Sequence, residues 1–194
     1  MNKSEVKRLR TDNFYDMCGI VKSLIWDNPV EIDNGIYLGN IGHGFFYSTL
    51  DNFNIKGVVN VTGDIPNYYN DIEYFNIRIP DLNSASIIGD LEGCYDFINR
   101  TLESGNVLIH CVFGRSRSVA VCVFYLMKKY GLSFEEAYSK IESQKNIINL
   151  NVKFAEEIKN YFANSAEQSK DDVTVSSHQS VTLKGSDKYL TPPV

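Results

Sequence analysis

Residues 109–121 read IHCVFGRSRSVAV and place His110, Cys111, Gly114, Arg117 and Ser118 between two apolar runs. These residue types at this spacing suit the binding and attack of an anion. Where a strand ends and a helix begins, the first backbone N–H groups of the helix lack partners and the macrodipole presents its positive end. The N–H groups of Val112, Phe113, Gly114, Arg115, Ser116 and Arg117 could wrap around a phosphate as a nest, with Gly114 supplying a positive φ mid-loop. The planar fork of Arg117 can hold two phosphate oxygens at once. Cys111 lies at the base of this cradle, where the same positive field favours the thiolate. A thiolate beneath a bound phosphoryl group is a nucleophile in position. Arg115 either widens the positive rim or is a solvated charge. Ordinary residue usage produces His-Cys-x-x-Gly-x-x-Arg-Ser in a chain of this length on the order of once in a hundred thousand.

Such a loop needs a buried strand before it and a buried helix after it. "VLI" (107–109) is continuously apolar, as a strand covered on both faces should be, and "VAVCVFYLM" (119–127) is apolar all round, as a helix inside a fold should be. Upstream, "VEI", a turn at Asp33-Asn34-Gly35 and "IYLG" read as a hairpin. "KGVVNVT" (56–62) and "IEYFNIRIP" (72–80) read as strands. Leu91, Cys94, Tyr95, Ile98 and Leu102 share one face of a helix ended by Ser104-Gly105-Asn106. Ser133-x-x-Glu136 is a capping box that starts a helix running to about Gln144, and a last helix fits 152–162. Alternating strands and helices imply an α/β fold with a central mixed, mostly parallel sheet flanked by helices. The anion loop then lies at the carboxyl edge of a central strand, where α/β sheets bind ligands.

The bulk composition narrows the classes. Hydrophobic residues make up 43% of the 194, enough for a real core. A formal net charge of −5 argues against a nucleic-acid partner. No run approaches the roughly 20 apolar residues of a membrane span, and MNKSEVKRLR carries no signal-type apolar run, so secretion is not expected. Cys18, Cys94, Cys111 and Cys122 fit no metal-ligand spacing and read as reduced thiols of the cytoplasm or nucleus. Three segments emerge: an N-terminal arm (1–28), a catalytic domain (29–163) and a tail (164–194) expected to be disordered. In the arm, Val6, Leu9, Met17, Ile20 and Leu24 recur at helical spacing. That stripe would pack on its own domain or on a second copy, giving a homodimer.

"HCVFGRSRS" resembles the signature loop of the cysteine-dependent protein tyrosine phosphatases, and HCxxGxxRSxxxxxxYLM resembles their dual-specificity branch. The likeness extends over most of residues 30–162. "IDNGIYLGN" is similar to that branch's opening hairpin, "IKGVVNVT" to its next core strand, and "INLNVKFAEEIKNYF" to its closing segment, although Leu150 stands where proline is common. The resemblance implies a phosphatase-type fold, phosphorylated protein substrates, and a general acid about thirty residues before the cysteine. Asp81, after "NIRIP", fits that place. Asp90 competes but reads as a helix-start carboxylate, and Asp64 and Asp71 sit in an early loop. The resemblance gives Ser118 a hydrogen bond to the leaving sulfur, and His110 a structural part in shaping the loop. His43 and His178 receive no role. The implied reaction has two steps: Cys111 attacks a phosphate ester held by Arg117 and the loop while Asp81 protonates the leaving oxygen, then water hydrolyses the phosphocysteine. No metal or other cofactor is expected, because the loop and Arg117 supply the charge.

The short domain leaves little room for loops that build a deep tyrosine-only pocket. A shallow site open to phosphotyrosine, phosphoserine and phosphothreonine is therefore expected. The rival readings are a phosphoinositide phosphatase, an RNA 5′-phosphatase, a rhodanese-like sulfurtransferase and a non-catalytic phosphate-binding module. The first would favour lysines where Val112 and Phe113 stand. The second would favour a basic, aromatic-interleaved surface. Gly114, Ser118 and Asp81 together set the chain apart from the third. A binding module would typically have lost Cys111, Arg117 or Asp81.

Overall fold

The computed structural model describes residues 28–178. Val30–Asp33 (β1) and Ile36–Gly39 (β2) form the expected hairpin, with Gly35 at φ +73° in the turn. Two short helices follow, Ile41–Phe45 (α1) and Tyr47–Asn52 (α2). Next come the strands Ile55–Asn60 (β3) and Glu73–Asn76 (β4), the helix Ile88–Thr101 (α3) and the strand Asn106–His110 (β5). Three helices close the described chain: Arg117–Tyr130 (α4), Phe134–Gln144 (α5) and Val152–His178 (α6).

The five strands lie in the order β1-β2-β5-β3-β4. Only β1 runs antiparallel; β2, β5, β3 and β4 are parallel, so the sheet is mixed and mostly parallel as expected. β5 is central, and its Val107, Leu108 and Ile109 are fully buried. Alternation sends these side chains to opposite faces. Leu108 joins Leu50, Ile55, Val58 and Ile72 in a cluster under α2. On the other face, a Cβ on Gly57 would lie 2.6 Å from Thr101 of α3. Residues 118–126 of α4 are all buried, which the unbroken apolar run anticipated. Each fully buried Leu, Ile, Val or Phe contributes roughly 1.5–3 kcal/mol of transfer free energy, so this helix is held by burial on every side. Its far end is tied by charge. The Asp33 carboxylate accepts hydrogen bonds from Tyr130 Oη (2.7 Å), Lys129 Nζ (3.2 Å) and Lys140 Nζ (3.2 Å), joining the hairpin to α4 and α5.

Three sequence expectations change. The strand read over 72–80 keeps its ladder only at 73–76, because β3 ends at Asn60 and offers no further partner. Beyond Ile77, whose N–H reaches Asn60 O (3.0 Å), the chain leaves the sheet. The short helices α1 and α2 were not anticipated. α1 starts on a reciprocal cap in which Asn40 Oδ1 accepts from the N–H groups of Gly42 and His43 and His43 Nδ1 accepts from Asn40 N–H (3.0 Å), a histidine standing where Glu or Gln is usual. The last helix, expected to stop at 162, runs to His178, so the segment read as structureless from Ser165 is helical that far; no glycine or proline interrupts it. By contrast, the Ser133/Glu136 capping box and the helix end at Gln144 stand as predicted.

The chain divides into two units, the first ending at Ile158 and the second beginning at Lys159. Among the described residues the second consists of the remainder of α6. Residues 1–27 of the proposed arm, and with them the dimer expectation, lie outside the described residues, as do 179–194 of the tail. No described helix is long and apolar enough to cross a membrane.

Candidate active site

β5 delivers His110 and then Cys111 to the carboxyl edge of the sheet, and α4 begins at Arg117. The intervening loop is pinned on its outer side by the junction of β2 and α1. Ile41 N–H donates to Val112 O (3.2 Å). Gly114 takes φ +66°, and a Cβ there would lie 2.4 Å from Gly39 O. Both the backbone sign and the space demand glycine. On the other side Asn149 N–H donates to Arg115 O (2.8 Å).

The loop folds back on the Cys111 sulfur. Gly114 N–H and Ser118 Oγ–H both donate to Cys111 Sγ at 3.2 Å. Burial alone would raise the thiol pKa. The Ser118 hydroxyl and the N–H groups of Ser118, Arg115 and Ser116 outweigh it, and the thiol is held below its ordinary value. Cys94 and Cys122 lack such donors; burial pushes both thiols up. Among the described residues, the three buried free thiols thus divide into one whose pKa is lowered and two whose pKa is raised.

His110 is buried, and burial drives its pKa down to about 4. Its neutral ring faces Cys111 O through Nδ1 (3.4 Å), and a Cβ on Gly44 would lie 2.7 Å from Nε2. The ring is a wedge between α1 and the loop.

Arg117 is almost wholly buried. One terminal nitrogen donates to Ile79 O (3.1 Å), while Nε is buried without a hydrogen bond and lies 3.8 Å from Asp81 Oδ2. Nε is thus a guanidinium donor beside the loop with no hydrogen bond of its own. Ser116 occupies the N-cap position of α4 but does not cap it. Its hydroxyl donates instead to Asp81 Oδ1 (2.9 Å), bringing the carboxylate onto the loop. Asp90 lies in the first turn of α3, as a helix-start acid, and Asp71 accepts from Tyr47 Oη (2.6 Å).

The sequence reading missed Asn151. Its Nδ2 donates to Asp81 Oδ1 (3.3 Å), its N–H to Ser116 Oγ (3.2 Å), and its Oδ1 accepts from Lys153 N–H (2.9 Å) at the start of α6. An asparagine directly ahead of a helix signals a cap; the second use of its amide is visible only in three dimensions. No cluster of candidate metal ligands occurs among the described residues.

Residues 36–164 match the family model of the dual specificity phosphatase catalytic domain. The chain belongs to the dual specificity phosphatase family. It is 33% identical to the dual specificity protein phosphatase MPK-4 of Drosophila melanogaster over 66% of its length, and 30% identical to dual specificity protein phosphatase 1 of Arabidopsis thaliana over 67%. It spans 35% of the fly protein's length and 67% of the plant protein's. The crystal structure of DUSP15 superposes with a TM-score of 0.67 at 26% identity, over 70% of this chain and 88% of that one.

Proposed function

We propose that the chain is a cysteine-dependent phosphatase that hydrolyses phosphotyrosine and phosphoserine or phosphothreonine in proteins. The observation that carries this reading is the Cys111 sulfur, buried yet met by the Ser118 hydroxyl and loop N–H groups, with Asp81 tied to the same loop through Ser116. A sulfurtransferase has no use for a carboxylic acid at that place, and a binding module has no use for a stabilised thiolate.

The loop N–H groups and Arg117 hold the three non-bridging oxygens of the phosphoryl group. Cys111 Sγ attacks phosphorus in line with the leaving oxygen; the S–P bond forms as the P–O bond breaks, and Asp81 gives its proton to the departing oxygen. Water then attacks the phosphocysteine, Asp81 takes the proton back, and the sulfur leaves as thiolate into the Ser118 hydroxyl and the N–H groups that stabilise it. His110, neutral near pH 7, moves no proton.

The test is phosphate release from phosphopeptides, phosphoinositides and 5′-phosphorylated RNA. Cys111→Ser abolishes turnover while retaining substrate, and Arg117→Lys fails because a point charge cannot replace a planar fork. Asp81→Ala slows substrates with poor leaving groups by about 10²–10⁴-fold and an aryl phosphate with an acidic phenol much less. Turnover by Cys111→Ser, or a phosphoinositide or RNA preferred over every phosphopeptide, would overturn the reading.

A further inference from the structure

Large apolar side chains that stay exposed in a folded domain mark interaction sites when they gather. Eight stand out among the described residues: Phe45, Tyr47, Tyr68, Leu82, Phe113, Tyr130, Ile147 and Val152. Four have internal partners. Phe45 and Tyr68 meet edge to face at 5.0 Å, Tyr47 donates to Asp71, and Tyr130 donates to Asp33. The other four are the more exposed, at 56% for Leu82, 57% for Phe113, 62% for Ile147 and 67% for Val152.

Their positions are not scattered. Phe113 is two residues from Cys111, on the loop itself. Leu82 follows Asp81, whose carboxylate touches Ser116. Val152 follows Asn151, whose N–H touches Ser116 Oγ. Ile147 is two residues from Asn149, whose N–H touches Arg115 O. Phe113 thus sits on the phosphate loop, and each of the other three lies within two residues of a residue hydrogen-bonded to it. Three separate segments of the chain, each on the loop or hydrogen-bonded to it, carry one or two of these exposed apolar groups.

We propose that Leu82, Phe113, Ile147 and Val152 form an apolar rim that selects phosphoproteins carrying large apolar side chains one or two positions from the phosphorylated residue. An extended peptide rises about 3.3 Å per residue, so with its phosphate on the loop its first and second neighbours on either side lie over this rim. An apolar neighbour removes its own surface and the rim's from water together. A charged neighbour set against these four side chains loses hydration, and of the loop's own side chains only the exposed Arg115 could offset that for an acidic one. A membrane surface presenting lipid phosphates is the less suited occupant, because that surface is anionic and the chain carries −5.

The inference rests on the protein-phosphatase reading, and one experiment separates the two. Steady-state kinetics of the full chain are measured on peptides with a fixed phosphoresidue and Leu, Ser or Asp at the two positions on each side. p-Nitrophenyl phosphate, too small to reach the rim, serves as the reference. The Leu peptide has the higher kcat/KM, by about five- to fiftyfold over Ser and carried by KM, in line with partial burial of one or two side chains. Ile147→Ser and Leu82→Ser, singly and together, bring the Leu peptide down to the Ser peptide and leave p-nitrophenyl phosphate unchanged. Equal kcat/KM for Leu and Ser peptides, or variants that weaken both alike, overturns the rim. Turnover of p-nitrophenyl phosphate with no phosphopeptide cleaved overturns the protein-phosphatase reading itself. Faster cleavage of phosphatidylinositol phosphate in phosphatidylcholine vesicles, lost in Ile147→Ser, assigns the rim to membranes and overturns the proposal.

Discussion

Ser118→Ala removes one of the donors that meet the Cys111 sulfur, the hydroxyl at 3.2 Å. Ser118 is fully buried, so no water replaces the hydroxyl. A hydrogen bond to a charged group in such a place is worth roughly 1.5–3 kcal/mol, and each pKa unit corresponds to about 1.4 kcal/mol. The thiol pKa therefore rises by about one to two units. The sign is fixed by which form loses its partner: the bond favours the thiolate, so its loss favours the thiol and lowers the nucleophile's population on the acid side. The assay is the pH dependence of Cys111 alkylation by iodoacetamide, followed by mass spectrometry of the loop peptide. Cys94 and Cys122 serve as internal blanks, since burial holds their thiols up. The acid limb of kcat/KM moves up by the same interval, and phosphocysteine accumulates in a burst because the leaving sulfur has lost its donor. An alkylation midpoint within about 0.3 units of wild type, in a variant that melts at the wild-type temperature, would refute the assignment of the lowered pKa to this hydroxyl.

Other outcomes follow from the same geometry. His110 is buried neutral, with its pKa near 4 against an ordinary 6.5; the unfolded chain takes the proton first, so stability is full above pH 6.5 and falls by about 3 kcal/mol as pH drops towards 4. Urea titrations at several pH values show this slope, and His110→Gln flattens it. Asn151→Ala removes one of the hydrogen bonds that hold Asp81, leaving that from Ser116, and uncaps α6, costing about 1 kcal/mol of stability by thermal melting and up to about 10²-fold in kcat on phosphoserine peptides, while an activated aryl phosphate is spared. Gly114→Ala meets a left-handed backbone penalty of about 1–2 kcal/mol and the Gly39 carbonyl at 2.4 Å; orthovanadate binding, measured by calorimetry, is lost with the far-ultraviolet circular dichroism unchanged.

The parts of this fold that announce themselves in the sequence are those where one local rule suffices. The helix 134–144 is written in Ser133 and Glu136, and α4 in an apolar run longer than the strands of this sheet. Cys111, Gly114, Arg117 and Ser118 are legible because one loop holds them all. Asp81 was reached by resemblance; what places it is Ser116, a hydroxyl whose own position predicts a helix cap. Asn151 was invisible because its partner lies 70 residues away. α1 escaped notice because two of its five residues are glycines and its cap is closed by His43. The end of the strand before Asp81 is set by where β3 stops, a fact about a neighbour that no window on residues 72–80 contains.

The bond from Ser116 to Asp81 has a consequence for selectivity. Under the proposed mechanism Asp81 is the acid, and its bond to Ser116 already seats it on the phosphate loop, so no closing lid is needed to bring it there. On that mechanism a phosphate ester that reaches the sulfur needs no lid to close over it, and the rate on small aryl esters is expected to be insensitive to solvent viscosity. Discrimination has to be exercised before arrival, by what the mouth of the site admits and by which phosphorylated molecules are brought near it.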